Sequence, residues 1–187
     1  MKSALRKIEG GLDLQAKLRA LKHQWLDLAC GTNKQPGCLG MDMRDVKGVD
    51  IVHNMEDIPW PLPDDTFDLI IASHIVEHLK PWLMFDIFNE IWRVMQVGGR
   101  LMIVTPYAMA PSFHQDPTHI HGWVEATPTY FDPEHPSGLY EIYEPKPWKI
   151  DICTWHHDNN LEICLVKRPH NERKTAASRR AAARRIR

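Results

Sequence analysis

Several absences narrow what this chain can be. No apolar run approaches the roughly 20 residues that a membrane-spanning helix needs, so no membrane span is expected. The N-terminus, MKSALRKIEGG, has no apolar h-region, so no secretory signal is expected. Four cysteines (Cys30, Cys38, Cys153, Cys164) lie far apart without a C-x-x-C pair. They suggest neither a zinc ribbon nor a disulfide framework, and they point to reduced thiols in the cytoplasm. No G-x-G-x-x-G follows the first apolar run, which argues against a dinucleotide oxidoreductase. There is no internal repeat.

What is present suits one globular domain. The chain has 187 residues, 43% hydrophobic and 25% charged, enough to bury a sizeable core. A net charge of −1 hides an asymmetry: residues 170–187 hold seven Lys or Arg against Glu172 alone. The expected organisation is therefore a domain over 1–169 and a flexible basic tail over 170–187. Such a tail either contacts a polyanion such as nucleic acid or remains solvated.

The stretch Trp25 to Asp42, WLDLACGTNKQPGCLGMD, organises the rest. A short apolar run carrying Asp27 breaks at Ala29-Cys30-Gly31 into a loop of turn residues. A second short run then ends on Asp42. In an open α/β sheet this pattern makes a nucleoside site: small residues let backbone approach the ligand, and the carboxylate takes two ribose hydroxyls. An ordinary turn gives the same letters, so the stretch alone decides nothing.

Helical spacing predicts a helix from about Asp13 to Lys22, with Asp13 as N-cap, leading into a strand over 24–29. Further strands are expected at Leu39–Asp42 and Val49–His53. Only seven residues separate Gly31 from Leu39, too few for the helix that normally makes a parallel crossover. The crossing after Asp42 is equally short. Two missing helices would bare one sheet face, to be covered by the N-terminal helix, a later insert or a second subunit in a homodimer.

TFDLIIA, Thr66–Ala72, reads as a central buried strand. A helix follows Pro81 with Trp82, Phe85, Trp92 and Met95 on one face, stopped by Gly98-Gly99. Arg100–Thr105 is the next strand. Residues 106–149 have little periodicity, many prolines and aromatics, and four histidines: His114, His119, His121 and His135. They read as an irregular but ordered insert on the substrate side. Ile150–Trp155 and Leu161–Lys167 form a closing hairpin.

Taken together, LDLACG, MD after the second strand, NMED after the third, FDLIIASHIVEHL and IFNEIWRVMQVGGRLMIVTPY resemble a class I S-adenosylmethionine-dependent methyltransferase over about residues 25–107. CGTNKQPG followed closely by MD, and the later DPTH, resemble a compact branch with a shortened first crossover. The resemblance implies an α/β, Rossmann-like, mostly parallel sheet in order 3-2-1-4-5-7-6, its last strand antiparallel and its crossover helices reduced. It implies S-adenosylmethionine as cofactor. In that likeness Asp27 orders the loop, or reaches the methionine amine through water, and Ala29, Cys30 and Gly31 pass beneath the sulfonium. Asp42 chelates the ribose, Met43 lies against the adenine, and Asn54 and Met55 address the adenine edge and face. Ser73 and His74 face the transferring methyl group. Two departures stand out: Ala29 and Asn33 occupy places often held by glycine, and the helix that usually faces the cofactor carboxylate has no room. Lys34, or backbone N–H groups of Thr32–Lys34, is expected to supply that positive partner.

A sulfonium is already activated, so the chain needs mainly to position an acceptor, with a base where the acceptor is protonated. His74, His78, His114 and His119 are the candidate bases, although His78 also reads as a turn residue holding the loop. Tyr107, Asp116, Thr118 and His119 are expected to line the acceptor pocket. His114, His119 and His121 with Asp116 offer donors of the kind that hold zinc or iron, but their spacing matches no metal motif, and no metal is expected. No [N/D]-P-P-[Y/F] run and no Pro-Cys pair follows the fourth strand, which disfavours the usual DNA amino-methylation and cysteine-based C5 chemistry. A small molecule or sugar is the first expectation for the acceptor. A nucleic acid engaged through residues 170–187 is the second, and a non-catalytic S-adenosylmethionine-binding or nucleotide-binding module the third.

Overall fold

The computed structural model describes residues 11–156 and 158–170. The tail beyond His170, with its expected polyanion contact, lies outside the described residues, and the expected Asp13 cap lies outside the described side chains. Seven strands form one sheet: β1 (Trp25–Leu28), β2 (Leu39–Asp42), β3 (Ile51–Val52), β4 (Phe67–Ser73), β5 (Met95–Pro106), β6 (Trp148–Trp155) and β7 (Asn160–Lys167). Their order is β3-β2-β1-β4-β5-β7-β6, and β7 runs antiparallel to both of its neighbours. The expected topology is the observed one. Helix α1 (Gly11–Ala20) begins and ends two residues before the expected span and buries Leu18. No helix among the described residues is long and apolar enough to cross a membrane.

The shortened crossovers do not leave the sheet bare. Every residue of β2 is buried. A Cβ at Gly40 would lie 2.5 Å from Lys34 Cδ and 2.7 Å from Cys30 Sγ, so the β1–β2 loop lays its own side chains on the strand. Residues 53–66, between β3 and β4, also contain no helix, as Pro59, Pro61 and Pro63 dictate. This Pro-rich segment buries Trp60 and Leu62. It is pinned to helix α2 (Met84–Val94) by the Trp60 N–H donating to Glu90 at 2.6 Å and by Arg93 donating to the Trp60 and Leu62 carbonyls.

Gly98-Gly99 does not stop α2. The helix ends at Val94, and Met95 already pairs with Phe67 at the start of β5. The pairing then jumps from Phe67–Met95 to Leu69–Arg100, so the two glycines form a bulge inside the strand. Gly98 has φ +82°, and a Cβ at Gly99 would lie 2.7 Å from Met95 Cγ and 2.9 Å from the Gln96 carbonyl. The buried Lys167 ammonium closes this corner by donating to the Met95 carbonyl and Asp65, each at 2.6 Å.

Residues 106–149 fold around aromatic anchors. They carry two short helices, α3 (Pro111–Gln115) and α4 (Tyr140–Tyr143), and a 3-10 turn at Thr127–Phe131. Trp123 and Phe131 are fully buried, and Phe131 stacks on Phe88 of α2 with centroids 4.4 Å apart. The insert is thus part of the core and reaches the C-terminal edge of the sheet.

Candidate active site

The strand order reverses between β1 and β4, the place where an open α/β sheet leaves a crevice beyond its strand ends. Register puts Leu28 beside both Met41 and Ala72. The residues that follow, Ala29, Asp42 and His74, therefore gather at one rim. Ala29 and His74 both have φ +52°, a left-handed conformation that side chains adopt at a cost. Each turns its chain sharply out of the sheet at the same level. A cavity of about 470 Å³ opens there, within the range of small-ligand sites. Asp42, Met43 and Arg44 line one end, His53 to Glu56 one side, and His74, Ile75, His78, Leu79, Lys80 and Ile120 the other end.

Asp42 is buried, and each of its oxygens is engaged. Oδ2 accepts the Gly31 N–H at 2.8 Å; Oδ1 accepts the Arg44 backbone N–H at 2.8 Å and Arg44 Nε at 3.1 Å. Burial alone would raise its pKa, but the hydrogen bonds from Arg44 and Gly31 outweigh this and hold the carboxyl below its usual range. Gly31 has φ +54°, a left-handed conformation that favours glycine, and a Cβ there would push only on the movable end of Arg44, Nη2 at 2.9 Å. Asp27 accepts the Gln35 N–H at 2.8 Å and so holds the β1–β2 loop, while burial pushes its pKa up. Cys30 is buried; desolvation, then the nearby Asp27 and Asp42, push its thiol up to about 11. It is an inert side chain.

His74 leaves β4 with its ring half-exposed, Nδ1 lying 3.4 Å from Glu77 Oε1. Its pKa is raised, first by the hydrogen bond with Glu77. Glu77 is almost fully buried, and its Oε2 accepts the Thr105 hydroxyl at 3.1 Å. Its carbonyl accepts the N–H groups of Ile120 and His121, each at 3.0 Å, which ties the insert to the turn after β4.

Six of the expected cofactor residues, Ala29, Asp42, Met43, Asn54, Met55 and His74, stand together in the cavity wall. Asp27, Cys30, Gly31, Asn33, Lys34 and Ser73 do not line it; the first three support the wall from behind. Lys34 donates to Asp50 at 2.6 Å, and Asp50 also accepts the Gly40 N–H at 2.8 Å, so that ammonium is committed beneath the loop. Of the expected acceptor residues, Asp116, Thr118 and His119 sit one layer behind the wall, against His78. Tyr107 stands away from the cavity, donating to Glu125 at 3.0 Å, and His114 packs edge-on against Phe113. Met41, Arg44, His53, Glu56, Ile75, Leu79, Lys80 and Ile120 complete the wall without having been singled out in the sequence. Arg44 follows Asp42 in the motif and was within reach of the sequence argument; Ile120 arrives only through the insert.

The wall fits an adenosine-containing ligand: a fixed carboxylate at a strand end, methionine side chains at Met41, Met43 and Met55, and little bulk at Ala29. A methyltransferase domain family model matches residues 26–103. No curated protein matches the sequence. Among solved structures, the chain is similar to the 16S rRNA (adenine(1408)-N(1))-methyltransferase of Catenulisporales acidiphilia at 14% identity, over 86% of this chain and 92% of that one, with a TM-score of 0.59. It is similar to a SAM-dependent methyltransferase of Archaeoglobus fulgidus at 18% identity, over 82% and 91%, with a TM-score of 0.53. It also resembles a chain in the complex between the Haloferax volcanii Trm112 methyltransferase activator and a methyltransferase, at 12% identity over 84% and 89%, with a TM-score of 0.53. At these identities the solved structures speak for the fold, and the matched domain speaks for the chemistry. Residues 26–103 thus carry a methyltransferase domain, on the fold that S-adenosylmethionine-dependent methyltransferases share, which supports an enzyme with S-adenosylmethionine as its cofactor.

Proposed function

We propose that this enzyme methylates a small acceptor, a sugar or another modest hydroxyl-bearing or amine-bearing molecule. The observation that carries this reading is the cavity itself. It measures about 470 Å³, runs from Asp42 to His78, and is bounded at the acceptor end by Ile120 of the insert. One nucleoside-sized ligand takes up most of that volume, leaving room for the reacting group of an acceptor rather than for a splayed polymer.

S-adenosylmethionine, when bound, supplies a methyl carbon already activated by a positive sulfur. Asp42 would hold the ribose hydroxyls, oriented for that by the Gly31 N–H. Asn54 and Met55 would meet the adenine. Ala29 keeps the centre of the cavity free of bulk, and His74 stands at the acceptor end, where its ring can receive an acceptor proton. The insert adds an apolar side chain, Ile120, to that end.

The test is transfer of label from methyl-labelled S-adenosylmethionine to a panel of sugars and small alcohols and amines, run beside RNA and DNA. Label in a small acceptor supports the proposal. The basic run in 170–187 favours a second reading, in which nucleic acid is the acceptor. Label found only in RNA or DNA, with salt-dependent binding lost on deleting 170–187, would establish that reading instead.

A further inference from the structure

We propose that Glu77, His78 and His119 form a site for one divalent transition-metal ion in the acceptor-end wall of the cavity. One ligand atom from each of the three residues lies within 4.8 Å of the others. Two imidazoles and one carboxylate suit zinc, manganese, iron or cobalt rather than magnesium or calcium, and three protein ligands leave coordination positions open.

The hydrogen bonds around the two rings assign their tautomers. His119 Nδ1 lies 2.8 Å from the Phe113 carbonyl, which can only accept, so Nδ1 carries the proton and Nε2 keeps a lone pair. Thr118 has one hydroxyl proton, and it goes to Asp116 at 2.6 Å. His78 Nδ1, 3.0 Å from that same hydroxyl oxygen and 3.3 Å from the Thr118 carbonyl, must therefore be the donor. Its Nε2 is also left with a lone pair. Fixing one ring nitrogen so that the other can ligate is the usual support behind a metal-binding histidine.

The carboxylate gives an independent indication. Glu77 is 1% exposed, and Thr105 holds Oε2. Oε1 meets only the half-exposed His74 ring, its Nδ1 at 3.4 Å, among the described residues. A buried carboxylate oxygen held by one long contact is under-satisfied. A cation between Glu77 and the two rings supplies a second partner.

His78 lines the cavity, so an ion held by it would stand at the acceptor-end wall. An ion there would hold an acceptor hydroxyl and lower its pKa, its proton passing to the His74 ring. This role rests on the small-acceptor reading; the ion site itself does not.

The test uses the tag-free full chain, stripped with chelator and titrated separately with Zn²⁺ and Mn²⁺ by calorimetry, with Co²⁺ spectra as a second readout. The expected result is one ion per chain. Affinity should fall about 100-fold or more in His78→Ala and in His119→Ala and stay unchanged in His114→Ala; Thr118→Val should lose about 10-fold. No stoichiometric binding, or binding that survives both ligand variants, overturns the site. Stoichiometric binding with chelator-insensitive transfer to a small acceptor overturns the acceptor role. Stoichiometric binding with no small acceptor ever labelled strikes the proposed function and leaves the ion site standing.

Discussion

The two ends of the cavity are built differently. The cofactor end comes from consecutive strand tips and short loops: Ala29 after β1, Asp42 to Arg44 after β2, His53 to Glu56 after β3. Its supporting bonds are local, as in Gly31 to Asp42 or Arg44 to Asp42. The acceptor end joins the turn after β4 to the insert, and its characteristic bond, His78 to Thr118, spans 40 residues. A wall made of strand tips is fixed once the sheet forms. A wall made by docking a distant loop depends on the packing of Trp123 and Phe131 beneath it. The first wall suits a ligand shared across a family, and the second suits a ligand particular to this chain.

Separability is the strongest consequence of that contrast, and Asp42→Ala tests it. Removing this carboxylate takes away the acceptors for two ribose hydroxyls and strands the buried Gly31 N–H. Hydrogen bonds to a charged group contribute about 1.5–3 kcal/mol each, so S-adenosylmethionine affinity should fall by about 100-fold or more in calorimetry. Asp42→Asn, which keeps the shape, should lose less. Zn²⁺ binding by the acceptor end should not change in either variant. A parallel loss of both ligands would show one cooperative site where the geometry shows two.

The same contrast explains what the sequence revealed. Asp42 was legible because a carboxylate ending a short strand beside a small-residue turn has few other uses in an open sheet. The strand order was legible because FDLIIAS, RLMIVT and the closing hairpin are continuous apolar runs whose connections allow one topology in the resembled family. Gly98-Gly99 misled for a physical reason: glycine pairs end helices and make bulges by the same left-handed freedom, and here Met95 pairs with Phe67 before the glycines are reached. The set of Glu77, His78 and His119 was not legible. No local spacing connects a turn after β4 to a loop in the insert, and of the donors singled out in the sequence (His114, Asp116, His119 and His121) only His119 belongs to the cluster.

Lys34 separates a cofactor contact from a scaffold contact. Sequence position makes it a candidate partner for the cofactor carboxylate, yet its ammonium holds Asp50 while its stem covers Gly40. Lys34→Ala should therefore lower stability by about 1 kcal/mol, from a quarter-exposed ion pair and lost packing, read as a drop in Tm. S-adenosylmethionine affinity should change by less than about twofold. A larger loss of affinity at unchanged Tm would return Lys34 to the cofactor wall.

Arg44 should give the smallest effect, and its sign is the informative part. The guanidinium is 63% exposed at its side chain and bonds both oxygens of Asp42, Nε to Oδ1 at 3.1 Å and Nη2 to Oδ2 at 3.4 Å. Ribose hydroxyls would compete for the same lone pairs, so the arginine must loosen when the cofactor binds. An exposed ion pair contributes little, which keeps that competition small. Arg44→Ala should then tighten S-adenosylmethionine binding by up to about fivefold, and added salt, which weakens the pair in the parent chain, should narrow the difference. Weaker binding in the variant would mean that the guanidinium swings from Asp42 onto the ligand. In that case the cofactor end, like the acceptor end, would be completed only by a side chain that moves.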